Sequence, residues 1–204
     1  MTNTSDIAFT ESVKSIQFRK GSRAIYSKME EKGSWKAEIT PDLADYVARQ
    51  RSFFLGTANN NGQPYIQHRG GPPGFLKVID NKTLAFADYK GNKQFISQGN
   101  LAENPKAFIF LIDYVNRIRI KIWGRAKVVE DHTELQAELM PCQDEYRARA
   151  EQVLVFTVEA WDRNCPQHIP QRFEREDVEK LLQKRDRRIE ELESQVRLLN
   201  AKGR

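Results

Sequence analysis

Cysteine is scarce in this chain: two in 204 residues, Cys142 and Cys165, neither in a Cys-x-x-Cys pair. They are too few and too far apart for a disulfide framework or a cysteine-based zinc site. The three histidines, His68, His132 and His168, are scattered without metal-ligand spacing, so no metal site is expected. No apolar run approaches the ~20 residues that span a bilayer. The polar stretch Met1 to Ser15 lacks the apolar centre of a secretion signal. A cytoplasmic location is the default expectation. There is no Gly-x-Gly-x-x-Gly fingerprint and no nucleophile elbow, which argues against a resident dinucleotide and against a serine-hydrolase triad. The net charge of +5 includes no basic block of six or more. That excess suits small anionic ligands as well as it suits nucleic acid, and a nucleic-acid partner is not favoured.

What the chain does have is a globular composition, 39% apolar and 30% charged, enough for one sizeable core with an appendage. Residues 1 to 20 read as peripheral. Thr40 is a good N-cap for a helix opening at Pro41, with Leu43, Tyr46 and Val47 on one face. The period then becomes extended. Strands are expected over Ser52–Ala58 and Pro64–His68, separated by the Asn-Gly turn at 59–62, then over Phe75–Ile79 and Thr83–Ala87 around Asp80-Asn81-Lys82. A helix is expected over Asn92–Glu103, stopped by Asn104-Pro105. Ala107–Ile112 reads as a strand buried on both sides. In Arg117 to Trp123 basic and apolar residues alternate, so the isoleucines face a core and Arg117, Arg119 and Lys121 line the other side. Gly124 permits a bulge or a close approach. Asp131 caps a helix to about Met140, Pro141 breaks it, Gln143–Ala150 is a second helical piece, and Val153–Trp161 is the last strand. Six or seven short strands with helices between them predict a mainly β fold, an antiparallel barrel with peripheral helical additions. Its domains would be an N-terminal extension (1–35), the barrel (36–172) and a C-terminal helix (173–204).

In that last helix Val178, Leu182, Ile189, Leu192, Val196 and Leu199 alternate spacings of four and three, with Arg185 in the missing place. This is a heptad seam of about three repeats. It could pack on its own barrel, on its twin or on another protein.

The candidate ligand site is Arg69-Gly70-Gly71-Pro72-Pro73-Gly74-Phe75-Leu76-Lys77, with Gly91-Asn92-Lys93 downstream. Glycine allows close backbone approach and proline stiffens. Lys93, read as lying in the first turn of a helix, would add charge to the N–H groups that attract phosphate.

These segments, together with Thr83 to Lys93, Asn100 to Pro105 and Gly124-Arg125-Ala126, resemble the pyridoxamine 5′-phosphate oxidase-like FMN-binding split barrels. The resemblance spans roughly residues 40 to 172, and the run Asn164 to Arg172 is similar to the tail of an oxidase-related FMN-binding branch. It implies a six-stranded antiparallel split barrel that forms a homodimer holding FMN at the subunit interface. It also implies that Gly74, Phe75, Leu76 and Lys77 meet flavin and phosphate, that Ala87 and Asp88 contact the flavin, and that Asn92 and Lys93 bind phosphate. Asn92 stands where the family usually has arginine. Arg119, at a position usually glutamine, would reach the ring from the other subunit. Arg119, Arg125 or Arg172 could stabilise a reduced, anionic flavin. Arg69 and Gln167 complete the candidate set, and no residue is assigned as catalytic. The chain lacks the Arg-x-His stretch of the vitamin B6 oxidases, which argues against that substrate. The expected function is FMN-dependent hydride transfer on a small substrate. The alternative is a flavin-binding or sensing module acting through its C-terminal helix. Haem or a deazaflavin remains a cofactor alternative.

Overall fold

The computed structural model describes residues 3–33, 35–130, 133–140, 150–164 and 166–202. The chain forms two compact units, residues 1–113 with 118–166 and residues 114–117 with 167–204. The expected cap Asp131, His132, Cys142, Cys165 and the helical piece from Gln143 to Arg149 lie outside the described residues; Ala150 already belongs to a strand.

The first unit is built on one antiparallel sheet of seven strands, with β1 Ser52–Ala58, β2 Pro64–Gly70, β3 Lys77–Val78, β4 Thr83–Tyr89, β5 Lys106–Asp113, β6 Ile118–Val129 and β7 Ala150–Asn164. Its order is β2-β1-β5-β6-β7-β4-β3. This corrects the expected count of six strands to seven, and the sheet is open: no backbone ladder among the described residues joins its two ends. The ends nevertheless come together. Phe53 of β1 packs edge-on to Phe86 of β4 with centroids 5.1 Å apart, and it stacks near Phe75 at 5.7 Å. All three rings are at most 1% exposed. The sheet therefore coils around a shared interior, the geometry of a split barrel.

Local signals account for most elements. Thr40 caps the helix Pro41–Ala48 by accepting from the Leu43 N–H at 3.4 Å, and Leu43, Tyr46 and Val47 are buried. At the β1–β2 turn, Asn59 Oδ1 accepts from the N–H groups of Asn61 and Gln63, both at 3.0 Å, and Gly62 takes φ +81°. Along β6, Ile120, Ile122 and Ala126 face inward and are buried as the alternation requires. On β5 the alternation is firmer than expected: Ala107, Ile109 and Leu111 are buried, while the outer residues are only half-buried.

The expected third strand is cut to two residues. The Phe75 N–H donates to the Pro72 carbonyl at 3.0 Å, and Gly74 has φ +84°. This is a type II turn with Pro73 and Gly74 at its centre, and it ends extended pairing before Lys77. Residues read as peripheral are also structured. The segment 4–7 is a 3₁₀ turn, followed by α1 Glu11–Arg19 and α2 Arg23–Glu31. Arg23 pairs with the carboxylate of Glu30, whose side chain is 7% exposed. Trp35 stacks on Trp123 of β6 at 4.5 Å and 14°, with Phe9 at 5.0 Å from Trp35. The outer face of β6 is thus covered there. Lys121 lies 5.4 and 5.3 Å from the two indole rings and 3.1 Å from Asp162. The remaining helices are α3 Pro41–Ala48, α4 Ile96–Glu103 and α5 Thr133–Leu139.

The second unit is described on its own. Arg172 lies 4.7 Å from the ring centroid of Tyr114, and Gln171 donates to the Val115 carbonyl at 2.9 Å. Its helix α6, Arg175–Lys202, is 28 residues, about 42 Å at 1.5 Å per residue. Its residues are exposed from Arg175 to Ala201. No helix among the described residues is long and apolar enough to cross a membrane.

Gly124 sits at the bulge where β6 changes register against β7. A Cβ there would stand 2.0 Å from the Thr157 carbonyl oxygen and 2.6 Å from the Phe156 ring. Gly124→Ala should therefore destabilise by at least about 3 kcal/mol, the upper end of overpacking costs. Gly99→Ala, in open space on α4, should be neutral or stabilising by up to about 1 kcal/mol. Urea unfolding of both variants checks this.

The Lys82 N–H donates to Asp80 Oδ1 at 2.7 Å, and this bond holds the Asp80 carboxyl below its ordinary value of 3.8. A depressed folded pKa means that its stabilisation is present above the ordinary value and is lost as pH falls through the folded one. Asp80→Ala should lower Tm at pH 7, and the difference from the parent should shrink as pH drops below ~3, as followed by thermal melts.

Candidate active site

The strand alternation of β2 builds one wall of a cleft. Tyr65, Gln67 and Arg69 point to one side and are half-buried, while Pro64, Ile66 and His68 are exposed on the other. The end of β4 supplies Asp88, and β7 supplies Gln152. Arg69 pairs with Asp88, whose second oxygen accepts from Gln152 Nε2 at 2.9 Å. Side chains from β2, β4 and β7 are thereby tied together where the two ends of the sheet meet. Arg69 and Asp88 are 15% and 12% exposed, which makes this a largely desolvated ion pair.

The mouth is formed by residues 91 to 98. Here the structure corrects the expected helix. α4 starts at Ile96, so Lys93 precedes it by three residues rather than sitting in its first turn. Lys93 and Phe95 have φ of 59° and 53°, left-handed conformations that cost a non-glycine residue on the order of 1 kcal/mol each. That strain is held by local bonds: the Gln94 N–H donates to Asn92 Oδ1 at 3.2 Å, and Ser97 Oγ donates to Gln67 Oε1 at 2.7 Å. Phe95 offers no side-chain cap, and no acidic residue occupies the first turn. The helix start therefore presents N–H groups and positive dipole toward the cleft with nothing local to neutralise them. Lys93 is exposed and has no ion-pair partner among the described residues.

The cleft has a cavity volume of only about 50 Å³. Pockets that enclose a small ligand run to ~300–1,000 Å³, so one chain alone offers a groove that grips one end of a ligand.

Of the residues singled out in the sequence, Arg69, Asp88, Asn92 and Lys93 line this cleft. Others are placed elsewhere. Phe75 and Leu76 are in the core at 1% exposure, and Gly74 is in the turn before them. Lys77 is on β3, paired with Ala85. Ala87 is buried in a second small apolar cluster with Ala85, Leu139 and Val153. Arg119 lies on β6 opposite Ile112 and Asn164, and Arg125 is exposed further along that strand. Gln167 and Arg172 belong to the second unit. Tyr65, Gln67, Ser97 and Gln152 were not foreseen. The period-two pattern of β2 carried the signal for Tyr65 and Gln67, because they share a face with Arg69.

The family model described as pyridoxamine 5′-phosphate oxidase matches residues 39–165, and the chain belongs to that family. No curated protein matches the chain. Among solved structures, HupZ from Group A Streptococcus is 18% identical with a TM-score of 0.50, over 66% of this chain and 99% of that one. That likeness supports the fold. An FMN-binding protein from Syntrophomonas wolfei is 16% identical with a TM-score of 0.48, over 78% of this chain and 98% of that one. HutZ, a heme storage protein from Vibrio cholerae, is 14% identical with a TM-score of 0.44, over 61% and 93%.

Removing Asp88 strands a mostly buried guanidinium. Asp88→Ala should destabilise by about 2–3 kcal/mol, somewhat under the cost of breaking a fully buried pair. The double variant Arg69→Met/Asp88→Leu should recover most of that loss. Denaturant midpoints of the three proteins check the coupling.

Proposed function

We propose that the chain is an FMN-binding flavoprotein, an FMN-dependent oxidoreductase that works as a homodimer with the cofactor at the subunit interface. Family membership supports this reading, and one observation carries it: an uncapped helix start and Lys93 face the same cleft.

The residues fit a phosphorylated, planar group. A phosphate dianion calls for cationic and N–H donors. Lys93, the Asn92 side chain and the first N–H groups of α4 supply them. Tyr65, Tyr89 and Phe95 line the same groove and offer flat surface to a ring. Among the described residues that lining holds no histidine or cysteine, which leaves Tyr65 and Tyr89 as the side chains able to reach a haem iron there. When bound, FMN would supply hydride acceptance and donation at N5. The chain's part is to hold the phosphate end, to fix the cleft floor through Arg69, Asp88 and Gln152, and to exclude water. A cleft this small needs a second copy to cover the remainder of the ligand, and this supports the dimer. The substrate would be a small organic molecule or a reduced nicotinamide admitted for the duration of turnover.

Purified protein should be yellow or should become so with FMN, and mass analysis of the released chromophore should return FMN rather than haem or a deazaflavin. Lys93→Ala should weaken FMN binding about 10–100-fold, the loss of one charge-assisted contact, and should leave riboflavin binding unchanged. Fluorescence titration with both ligands reads this out. Equal losses for both would remove the phosphate assignment. Failure of the parent protein to take up FMN at all would remove the flavoprotein reading.

A further inference from the structure

The helix α6 leaves an apolar stripe open to solvent: Val178 is 41% exposed, Leu182 50%, Ile189 53%, Leu192 43%, Val196 54% and Leu199 70%. Arg175 to Ala201 are all exposed, so this 28-residue helix gains little from its own unit, although helices in folded proteins draw most of their stability from packing an amphipathic face. The spacing sets the register. Steps of four, three, four, three from Val178 place Leu182, Ile189 and Val196 at a positions, and Val178, Arg185, Leu192 and Leu199 at d positions.

From this register we infer that α6 pairs with the α6 of a second copy of this chain, as a parallel two-stranded coiled coil. Two independent features select that occupant. The first is side-chain shape. In the last two heptads β-branched Ile189 and Val196 fill a, and leucines fill the following d positions. That combination favours two parallel strands over trimers or tetramers. The second is charge. The e positions carry Glu179, Asp186, Glu193 and Asn200, while the g positions carry Leu181, Arg188, Gln195 and Lys202, with no acid. An antiparallel pair would set acidic e positions against one another. A parallel pair sets Arg188 at g against Glu193 at e of the following heptad in the second copy, twice by symmetry. Within one chain Arg188 reaches Glu191 at 2.9 Å, with both side chains about 60% exposed. That partner lies outside the seam, and the fork of five donors can serve both carboxylates.

Arg185 is the one seam position that breaks the apolar pattern. At d it lies beside e, where Asp186 of the second copy stands in the parallel arrangement. A single charged seam residue lowers stability and penalises any shifted register in which it meets leucine. The inference stands apart from the flavin reading, since it uses no residue of the cleft.

The test uses the full chain in a Cys142→Ser/Cys165→Ser background. Leu192→Cys at d should oxidise to a disulfide-linked dimer at least tenfold faster than Lys180→Cys, which faces outward at f. Arg188→Glu should slow Leu192→Cys crosslinking severalfold, and adding Glu193→Arg should restore it, because the swap re-forms the pair only between parallel copies. Equal rates at d and f, or no rescue by the swap, would overturn the inference. So would recovery of the seam bound to a different protein while Leu192→Cys stays uncrosslinked. Because crosslinking is scored with and without FMN, a colourless protein that still crosslinks in this pattern would sink the flavin reading and leave the coiled coil standing.

Discussion

An open antiparallel sheet has two edges, and the rest of the first unit depends on how those edges meet. β2 and β4 stand near opposite ends of the strand order, yet they are joined by side chains rather than by a ladder. The Phe53–Phe86 contact closes the interior, and the Arg69–Asp88 pair closes the rim. Coiling of this kind follows from strand twist. Stopping short of full closure leaves a seam, and the cleft is that seam. Backbone hydrogen bonds would have sealed it; an ion pair holds the ends at side-chain distance and leaves polar groups lining a gap. Asp88 answers to both Arg69 and Gln152, which is why a charged pair persists where water is largely excluded.

The mouth residues show a second economy. Chain reversal between β4 and α4 passes through left-handed backbone at Lys93 and Phe95. Glycine would relieve that strain, and Gly91 is close by, yet both positions carry large side chains that line the cleft. One brings a cation to the rim and the other an aromatic face. The helix that follows has no capping side chain and no acid in its first turn, although an aspartate or serine at the cap would stabilise it by about 1 kcal/mol. Strain and a missing cap fall within the same five residues, where local stability is lower than the sequence could have made it.

Much of the fold was legible because it is written in short-range pattern. Thr40-Pro41, Asn59 to Gly62, the alternation of 118–123 and the stop at Asn104-Pro105 each act within a few residues and appear as read, whereas Arg117, read as the first residue of that strand, lies before it in a turn with φ 54°. The errors have physical causes. Pro72 to Phe75 looked like the start of a strand because apolar residues follow, but Pro-Gly chemistry made a turn and buried Phe75 and Leu76 instead. Residues 1–20 looked peripheral because that stretch is polar and weakly apolar. What anchors the segment is aromatic packing of Phe9 and Trp35, a long-range contact with Trp123 that no local period announces. The candidate site was half legible for the same reason. Asn92 and Lys93 stood out locally, whereas Gln67, Ser97 and Gln152 join only when separate elements meet.

The two units present different surfaces with one property in common: each is unfinished by the standards of a single chain. The cleft has charge and hydrogen-bond donors arranged for a ligand, but too little depth to desolvate one. The helix α6 has the spacing of a buried seam, with every seam residue exposed. Exposed leucines taken singly would call for no explanation. A continuous stripe repeating every seven residues is different, because that spacing is the pattern of a seam between paired helices. The charge pattern sharpens this, since at the positions flanking the seam acids occur only at e and bases only at g, which favours a partner running in the same direction. A twofold axis satisfies that condition automatically: whatever one copy lacks at g, the other supplies at e, and a surface that complements itself needs no second gene product to be complete.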